Sequence, residues 1–244
     1  MDYHYKGRNI MTAKYNWQYD EMKHSGVDYS NSEQVEVYDK NHQKFRDYQK
    51  GAESIIQALG LGSEHTVIDM GSGTGAFAIH AARFCKTIYA VDVSKAMLDY
   101  ASQKAKVMGI DNVIFCHGGF LTYEHKAEPV DAIVCVAVLH HLPDFWKYVG
   151  LRRVADMLKP GGKFYLFDIV FPSDMTDYES SFDAWVEANV RRLGRDFASE
   201  VEAHIRDEHS TFDWIMEKFL EQAGFRIENT YHADGFGVAY ICSK

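Results

Sequence analysis

The chain has no run of about 18 apolar residues, so no membrane span is expected. Its start, Met1-Asp2-Tyr3-His4-Tyr5-Lys6, lacks the apolar core of a secretory leader, and a cytoplasmic location is the expectation. Basic residues are in the minority: Lys plus Arg is 26 against 35 Asp plus Glu, a net charge of −9. That balance disfavours a broad phosphate-binding surface, so nucleic acid is not the expected partner. None of the four cysteines, Cys85, Cys116, Cys135 and Cys242, lies in a C-x-x-C pair. No zinc cluster is expected and no metal ligand is assigned. Twelve histidines are scattered, and only His140 and His141 are adjacent, a spacing at which two side chains rarely share one metal. Four prolines in 244 residues leave few hard breaks, and neither an internal repeat nor a low-complexity linker is present.

What is present is an ordinary globular composition, 46% hydrophobic and 25% charged. The first 60 or so residues are polar and aromatic, with Tyr15, Trp17, Tyr19, Tyr29 and Tyr38, and read as short helices. Phe45, Tyr48, Ala52, Ile55, Ile56 and Leu59 recur at helical spacing, and Gly60 and Gly62 stop that helix. From His65 strands and helices alternate. Strands are expected at 66–69, 87–91, 113–116, 132–136 and 163–170. Helices are expected at 75–84, after Ser94, and over 144–158 up to Lys159-Pro160-Gly161-Gly162. Ala132 to Val136 is apolar at every position, the mark of a strand covered on both faces. The alternation implies an α/β fold, doubly wound and Rossmann-like, with a mainly parallel seven-stranded sheet and its ligand beyond the carboxyl ends of the strands. Residues 172–206 interrupt with two helical patterns. An amphipathic helix follows, with Ser210 and Asp213 as a start resembling a capping box and Gly224 as its stop. Residues 225–230 and 237–242 read as a C-terminal antiparallel hairpin. The division is then a helical N-terminal lid, 1–60, and a main domain, 61–244, carrying the 172–206 helical insertion.

The stretch that carries chemistry is Val67-Ile68-Asp69-Met70-Gly71-Ser72-Gly73-Thr74-Gly75-Ala76. A strand runs into glycines that let a ligand approach the backbone. Twenty-one residues beyond Gly71, Asp92 ends the second strand, where a carboxylate accepts both hydroxyls of a ribose. A nucleoside-containing ligand follows. The loop also satisfies the dinucleotide pattern, with Ala76 in the last place. Asp69, however, would oppose a pyrophosphate and suits an ammonium or sulfonium group.

Residues 66–171 resemble a class I S-adenosylmethionine-dependent methyltransferase. The resemblance rests on Asp69 to Gly75, on Ala90-Val91-Asp92-Val93-Ser94, on Val138-Leu139-His140-His141-Leu142-Pro143-Asp144 and on Leu158-Lys159-Pro160-Gly161-Gly162. The last two are typical of the branch with quinone-biosynthesis and other small-molecule enzymes. The resemblance implies S-adenosylmethionine as cofactor, a small-molecule acceptor and in-line methyl transfer. It implies that Asp69 orients the donor's methionine part, that Gly71, Ser72, Gly73 and Gly75 line it, and that Asp92 holds the ribose. Val93 and Met97 would pack on the adenine, although Met97 also fits a plain core position. Ala137 would offer its carbonyl to the donor's amino group. Many relatives have Gly-Asp after the third strand, whereas this chain has His117-Gly118-Gly119-Phe120. Gly119 lacks the carboxylate, and Phe120 is left to cover the adenine.

The catalytic candidates are His140, Asp168 and His209, and the substrate-binding candidates are Tyr15, Tyr19, His141 and Glu208. Each has a plainer reading as well: a loop hydrogen bond for His140, a strand-end bond for Asp168, a helix-start cluster for Glu208-His209-Ser210, and a fixed cap for the aromatic N-terminus. The alternatives are a nucleic-acid or protein methyltransferase, an NAD-dependent oxidoreductase, and a non-catalytic S-adenosylmethionine-binding protein. The (Asn/Asp)-Pro-Pro-(Tyr/Phe) loop of many nucleic-acid and amide-nitrogen methyltransferases is replaced by Ala137-Val138-Leu139-His140. Oligomeric state is not legible.

Overall fold

The computed structural model describes residues 15–23 and 47–244, together with Val35 and Val37, both of which are helical. Tyr29, Tyr38 and Phe45 lie outside the described residues. Residues 15–23 form two turns, closed by Gln18 N–H to the Tyr15 carbonyl (2.9 Å) and Lys23 N–H to the Asp20 carbonyl (3.2 Å).

The elements that follow are α1 (Tyr48–Leu59), β1 (Thr66–Met70), α2 (Ala78–Ala81), β2 (Thr87–Asp92), α3 (Lys95–Val107), β3 (Val113–His117) and β4 (Val130–Val136). After a 3₁₀ turn (Leu139–His141) come α4 (Asp144–Met157), β5 (Leu158–Phe171), α5 (Tyr178–Leu193) and α6 (Arg195–Asp207). The chain ends with β6 (Thr211–Phe212), α7 (Asp213–Ala223), β7 (Arg226–His232) and β8 (Gly237–Ser243). The strands form one sheet in the order β3-β2-β1-β4-β5-β8-β7, with the two-residue β6 pairing β5 off that path. Strands β1 to β5 pair in parallel, and β8 runs antiparallel to both β5 and β7. The expected sheet and hairpin are present. The short β6, which has no pattern of its own, makes the sheet eight-stranded.

The apolar strands are buried on both faces. Ile68, Met70, Ile133 and Cys135 face one layer, with Leu151 and Val154 of α4 and Leu220 of α7. Val67, Ile88, Ala90, Ala132 and Val134 face the other, with Ile55, Ile56 and Leu59 of α1. This period-2 division explains why β4 shows no polar alternation. All four cysteines are free thiols, and Cys85, Cys135 and Cys242 are buried.

Three local expectations are corrected by tertiary bonds. The helix expected over 75–84 shrinks to Ala78–Ala81. Gly75 enters with φ +77°, outside the helical region, and Asn112 Nδ2 draws off the carbonyls of Ala82 (2.7 Å) and Cys85 (2.9 Å). Ser210 and Asp213 do not cap α7, whose start at Phe212 has no side-chain cap. Ser210 instead lies 2.8 Å from His204 Nε2, and Asp213 accepts from Ser173 Oγ at 2.7 Å. The segment Leu158–Gly162, expected to end α4, already belongs to β5. Ser94 does cap α3, accepting from Met97 N–H at 3.2 Å.

Leu151 is fully buried between the sheet and α7. Leu151→Ala is expected to cost about 2–5 kcal/mol, the range for a leucine-to-alanine cavity. Urea unfolding should show the midpoint falling with an unchanged slope.

Candidate active site

The sheet's winding reverses between β1 and β4, and the loops after these strands part there to open a crevice. A cavity of about 720 Å³ fills it. Its floor is the loop 69–76, and its walls include Asp92, Val93, Met97, Gly119, Phe120, Ala137, His140 and His141. Trp185 and Asn189 of α5 and Phe197, Val201 and His204 of α6 line the top, and Glu21 and Lys23 enter from the N-terminal segment.

The glycine loop is held by backbone bonds, Gly71 and Ser72 N–H both reaching the Val91 carbonyl at 2.8 and 2.9 Å. Gly71 has φ +76°, and a Cβ there would lie 2.3 Å from a Val138 methyl, so the two diverging loops touch only because this residue has no side chain. A Cβ at Gly73 would meet nothing within 4 Å, which leaves that backbone open to a ligand. Ser72 Oγ is buried, lines the cavity and has no hydrogen-bond partner among the described residues. Asp92 spans the loop, accepting from Gly73 N–H and Ser94 N–H, both at 2.8 Å. Ala137, past β4, has φ +57°, a left-handed conformation uncommon outside glycine and typical of functional turns.

Asp69 is 3% exposed and accepts from Ala78 N–H at 3.1 Å, tying β1 to the start of α2. Burial pushes its carboxyl up to about 7; the Ala78 bond opposes the shift and the neighbouring Asp92 charge adds to it.

At the far end of the cavity stands a cluster of imidazoles and carboxylates. His140 Nδ1 lies 2.5 Å from Asp168 Oδ1, and Asp168 also accepts from His140 N–H (3.1 Å) and Ile169 N–H (2.8 Å). His140 Nε2 is 3.3 Å from Glu208 Oε2, and His141 Nδ1 is 3.9 Å from Glu208 Oε1. His204 Nδ1 pairs with Glu208 Oε2 as well. Burial opposes ionisation of both Asp168 and His140, but their mutual charge and hydrogen bond win, holding the acid below its ordinary range and the imidazole above its own. Burial resists charge on Glu208 too, yet the His204 bond and the flanking histidines keep it below the ordinary range. Burial, then the His140 charge, pushes His141 down to about 4.

The structure thus brings the adjacent His140 and His141 together with Asp168 and Glu208, which lie far from them in sequence. Phe120, 3% exposed, packs where a Gly150 Cβ would stand and still lines the cavity. His209 is not among the lining residues: its N–H bonds the His140 carbonyl (2.9 Å), and its own carbonyl accepts from the buried Lys147 Nζ. Tyr15 and Tyr19 are not among them either. Tyr15 stacks on Trp17 at 4.8 Å, Tyr19 lies against Trp146, and the Tyr19 hydroxyl donates to the His141 carbonyl at 3.2 Å.

Two contributors were not picked out from sequence. His204 sits on a polar helix with no distinguishing motif. Glu21 reaches across the chain to accept from Leu121 N–H (3.0 Å) and Thr122 Oγ1 (2.6 Å). Its Oε2 lies 2.6 Å from where a Gly119 Cβ would be. Burial raises its pKa against those hydrogen bonds.

A doubly wound sheet, a glycine loop between two carboxylates and a reversed last strand define the class as a methyltransferase of the Rossmann-like kind. Residues 67–162 match the family model described as "Methyltransferase domain". An uncharacterized methyltransferase of Bacillus subtilis, YcgJ, is 32% identical over 142 residues, 56% of this chain and 55% of that protein, so the match spans about half of this relative. One from Geobacillus kaustophilus is 28% identical over 200 residues, 81% of this chain and 86% of that protein. The solved magnesium protoporphyrin IX methyltransferase of Synechocystis PCC 6803 with bound SAH shares the fold, with a TM-score of 0.58 at 18% identity over 92% of this chain and 91% of that one. S-adenosylmethionine is the cofactor of this fold and motif set. The unpartnered Ser72 Oγ, the open face of Gly73 and the Asp92 carboxylate fit such a group.

A cationic ligand beside Asp69 favours its ionised form, so binding should expel a proton below about pH 7. Affinity for S-adenosylmethionine is expected to rise by about tenfold from pH 6 to pH 8 and then level off. Calorimetry in buffers of different ionisation enthalpy should show the proton released at pH 6 and not at pH 8.

Proposed function

We propose that this protein transfers a methyl group from S-adenosylmethionine to a small molecule held at the His140–Glu208 end of the cavity. The observation that carries the reading is one continuous cavity with the glycine loop and Asp92 at one end and buried, charge-coupled side chains at the other. The cofactor supplies an activated methyl group on a sulfonium. What remains for the protein is to align the acceptor, exclude water and remove a proton where the acceptor carries one.

In this reading Asp69, Gly71, Ser72, Gly73 and Gly75 receive the methionine part, and Asp92 exchanges its Gly73 bond for the ribose hydroxyls. Val93, Met97 and Phe120 flank the adenine, and the Ala137 carbonyl faces the amino group. Glu21 supplies the carboxylate that Gly119 lacks, its oxygen lying 2.6 Å from the position of the absent Cβ. This role couples the N-terminal segment to the cofactor, and that segment, with the insertion 172–206, acts as the cover of the cavity.

Asp168 fixes His140, and together with Glu208 they orient the acceptor. His141 lines the same end, and His209 is a positioning residue through its backbone. Tyr15 and Tyr19 brace the cover on Trp146. A cavity of about 720 Å³ and a charge of −9 favour a small acceptor over nucleic acid.

Incubation with methyl-labelled S-adenosylmethionine and a cell extract split by size should put label in the small-molecule fraction. Label confined to protein or nucleic acid would overturn the acceptor class, and no label with tight S-adenosylhomocysteine binding would mark a binding protein only.

Asp92→Ala should weaken S-adenosylhomocysteine binding by about 1.5–3 kcal/mol, the scale of hydrogen bonds to a charged group. Glu21→Ala should cost about 1.5 kcal/mol, near tenfold in affinity. Equal affinity of the Glu21 variant and the parent in calorimetry would remove Glu21 from the cofactor site.

A further inference from the structure

We propose that His140, His141 and Glu208 form a binding site for a first-row divalent cation, open toward the acceptor end of the cavity. Their donor atoms all lie within 4.8 Å of one another. Donors bound to one ion at about 2.0–2.2 Å stand about 3–4 Å apart over octahedral to widened tetrahedral angles. The two separations to Glu208, 3.3 Å from His140 Nε2 and 3.9 Å from His141 Nδ1, fall in that range.

Hydrogen accounting points the same way. His140 Nδ1 is committed to Asp168, so Nε2 is the ring nitrogen that faces a Glu208 oxygen, at 3.3 Å. At 3.9 Å, His141 is beyond hydrogen-bond reach of Glu208 but within reach of a shared ion.

The surroundings are those of ligated imidazoles. A metal-bound histidine ordinarily donates its other N–H to a carboxylate or carbonyl, as His140 does to Asp168. Glu208 is oriented by His204, whose Nε2 in turn lies 2.8 Å from Ser210 Oγ. Asp168 and Glu208 bring two negative charges to match a dication. The nearby Lys147 ammonium is engaged by Asp144 at 2.9 Å and by the His209 carbonyl.

Two imidazoles and one carboxylate, with no thiolate, suit manganese, iron, cobalt or zinc rather than calcium or magnesium, which prefer all-oxygen shells. Sequence neighbours were not expected to share a metal. The 3₁₀ turn Leu139–His141 nonetheless brings the two rings to 4.3 Å between centroids, on one side of the chain. Three protein donors leave positions for oxygen or nitrogen atoms of a chelating acceptor. That ligand role rests on the methyl-transfer reading above; the cation site itself does not.

The test uses the full chain stripped with a chelator and titrated with Co²⁺ alone, read by visible ligand-field absorption, with Zn²⁺ as competitor. One saturable equivalent per chain is expected. Glu208→Gln and His141→Gln should each weaken Co²⁺ binding at least tenfold with an unchanged circular dichroism spectrum. Asp168→Asn, a positioning change, should weaken it by about 10–100-fold. If Glu208→Gln fails to fold, the more exposed His141→Gln decides. No saturable binding by the parent, or equal binding by the folded variants, would overturn the site. Methyl transfer by a parent protein that binds no Co²⁺ would overturn the site and leave the transfer reading standing. Co²⁺ binding without methyl transfer would support the site and remove that reading.

Discussion

The site depends on the contact between Gly71 and Val138. These residues lie in the loops after β1 and β4, the two strands between which the winding of the sheet reverses. The loops leave in opposite directions and still touch at their bases, because Val138 occupies the space where any larger residue at 71 would carry its Cβ. One loop brings glycine backbone and Ser72; the other brings the left-handed Ala137 and the turn bearing His140 and His141. The reversal therefore makes one cavity with two chemistries at its ends.

Electrostatics then separate those ends. At the glycine loop, Asp69 is buried and accepts from Ala78 N–H, and burial pushes its carboxyl up to about 7. At the other end, Asp168 is equally buried but meets an imidazole and two backbone N–H groups, and it stays ionised. The same residue type behaves oppositely because desolvation is opposed by one donor in the first case and by a charge and several donors in the second. Glu208 follows Asp168, since three histidines surround it.

The surroundings of the cavity are assembled from segments distant in the chain. Glu21 caps backbone N–H groups near β3, the Tyr19 hydroxyl bonds the His141 carbonyl, and Trp185 of α5 packs on Phe236 in the β7–β8 loop at 5.0 Å. The N-terminal segment thus touches both ends of the cavity, through Gly119 at one and His141 at the other.

The strands, the glycine loop, Asp92 and the closing hairpin were legible because their signals are local. Apolar runs mark buried strands, glycines mark backbone that a Cβ would block, and an acid after the second strand keeps a fixed distance from the loop. The shortened α2, the uncapped start of α7 and the two-residue β6 were not legible, since Asn112, Ser173 and β5 reach them from elsewhere in the chain. The meeting of His140 with Asp168, Glu208 and His204, and the arrival of Glu21 beside Gly119, likewise belong to the tertiary structure. A sequence pattern records what neighbouring residues require of the backbone. Which distant side chains share one desolvated space is set only when the sheet, the insertion and the N-terminal segment have packed together.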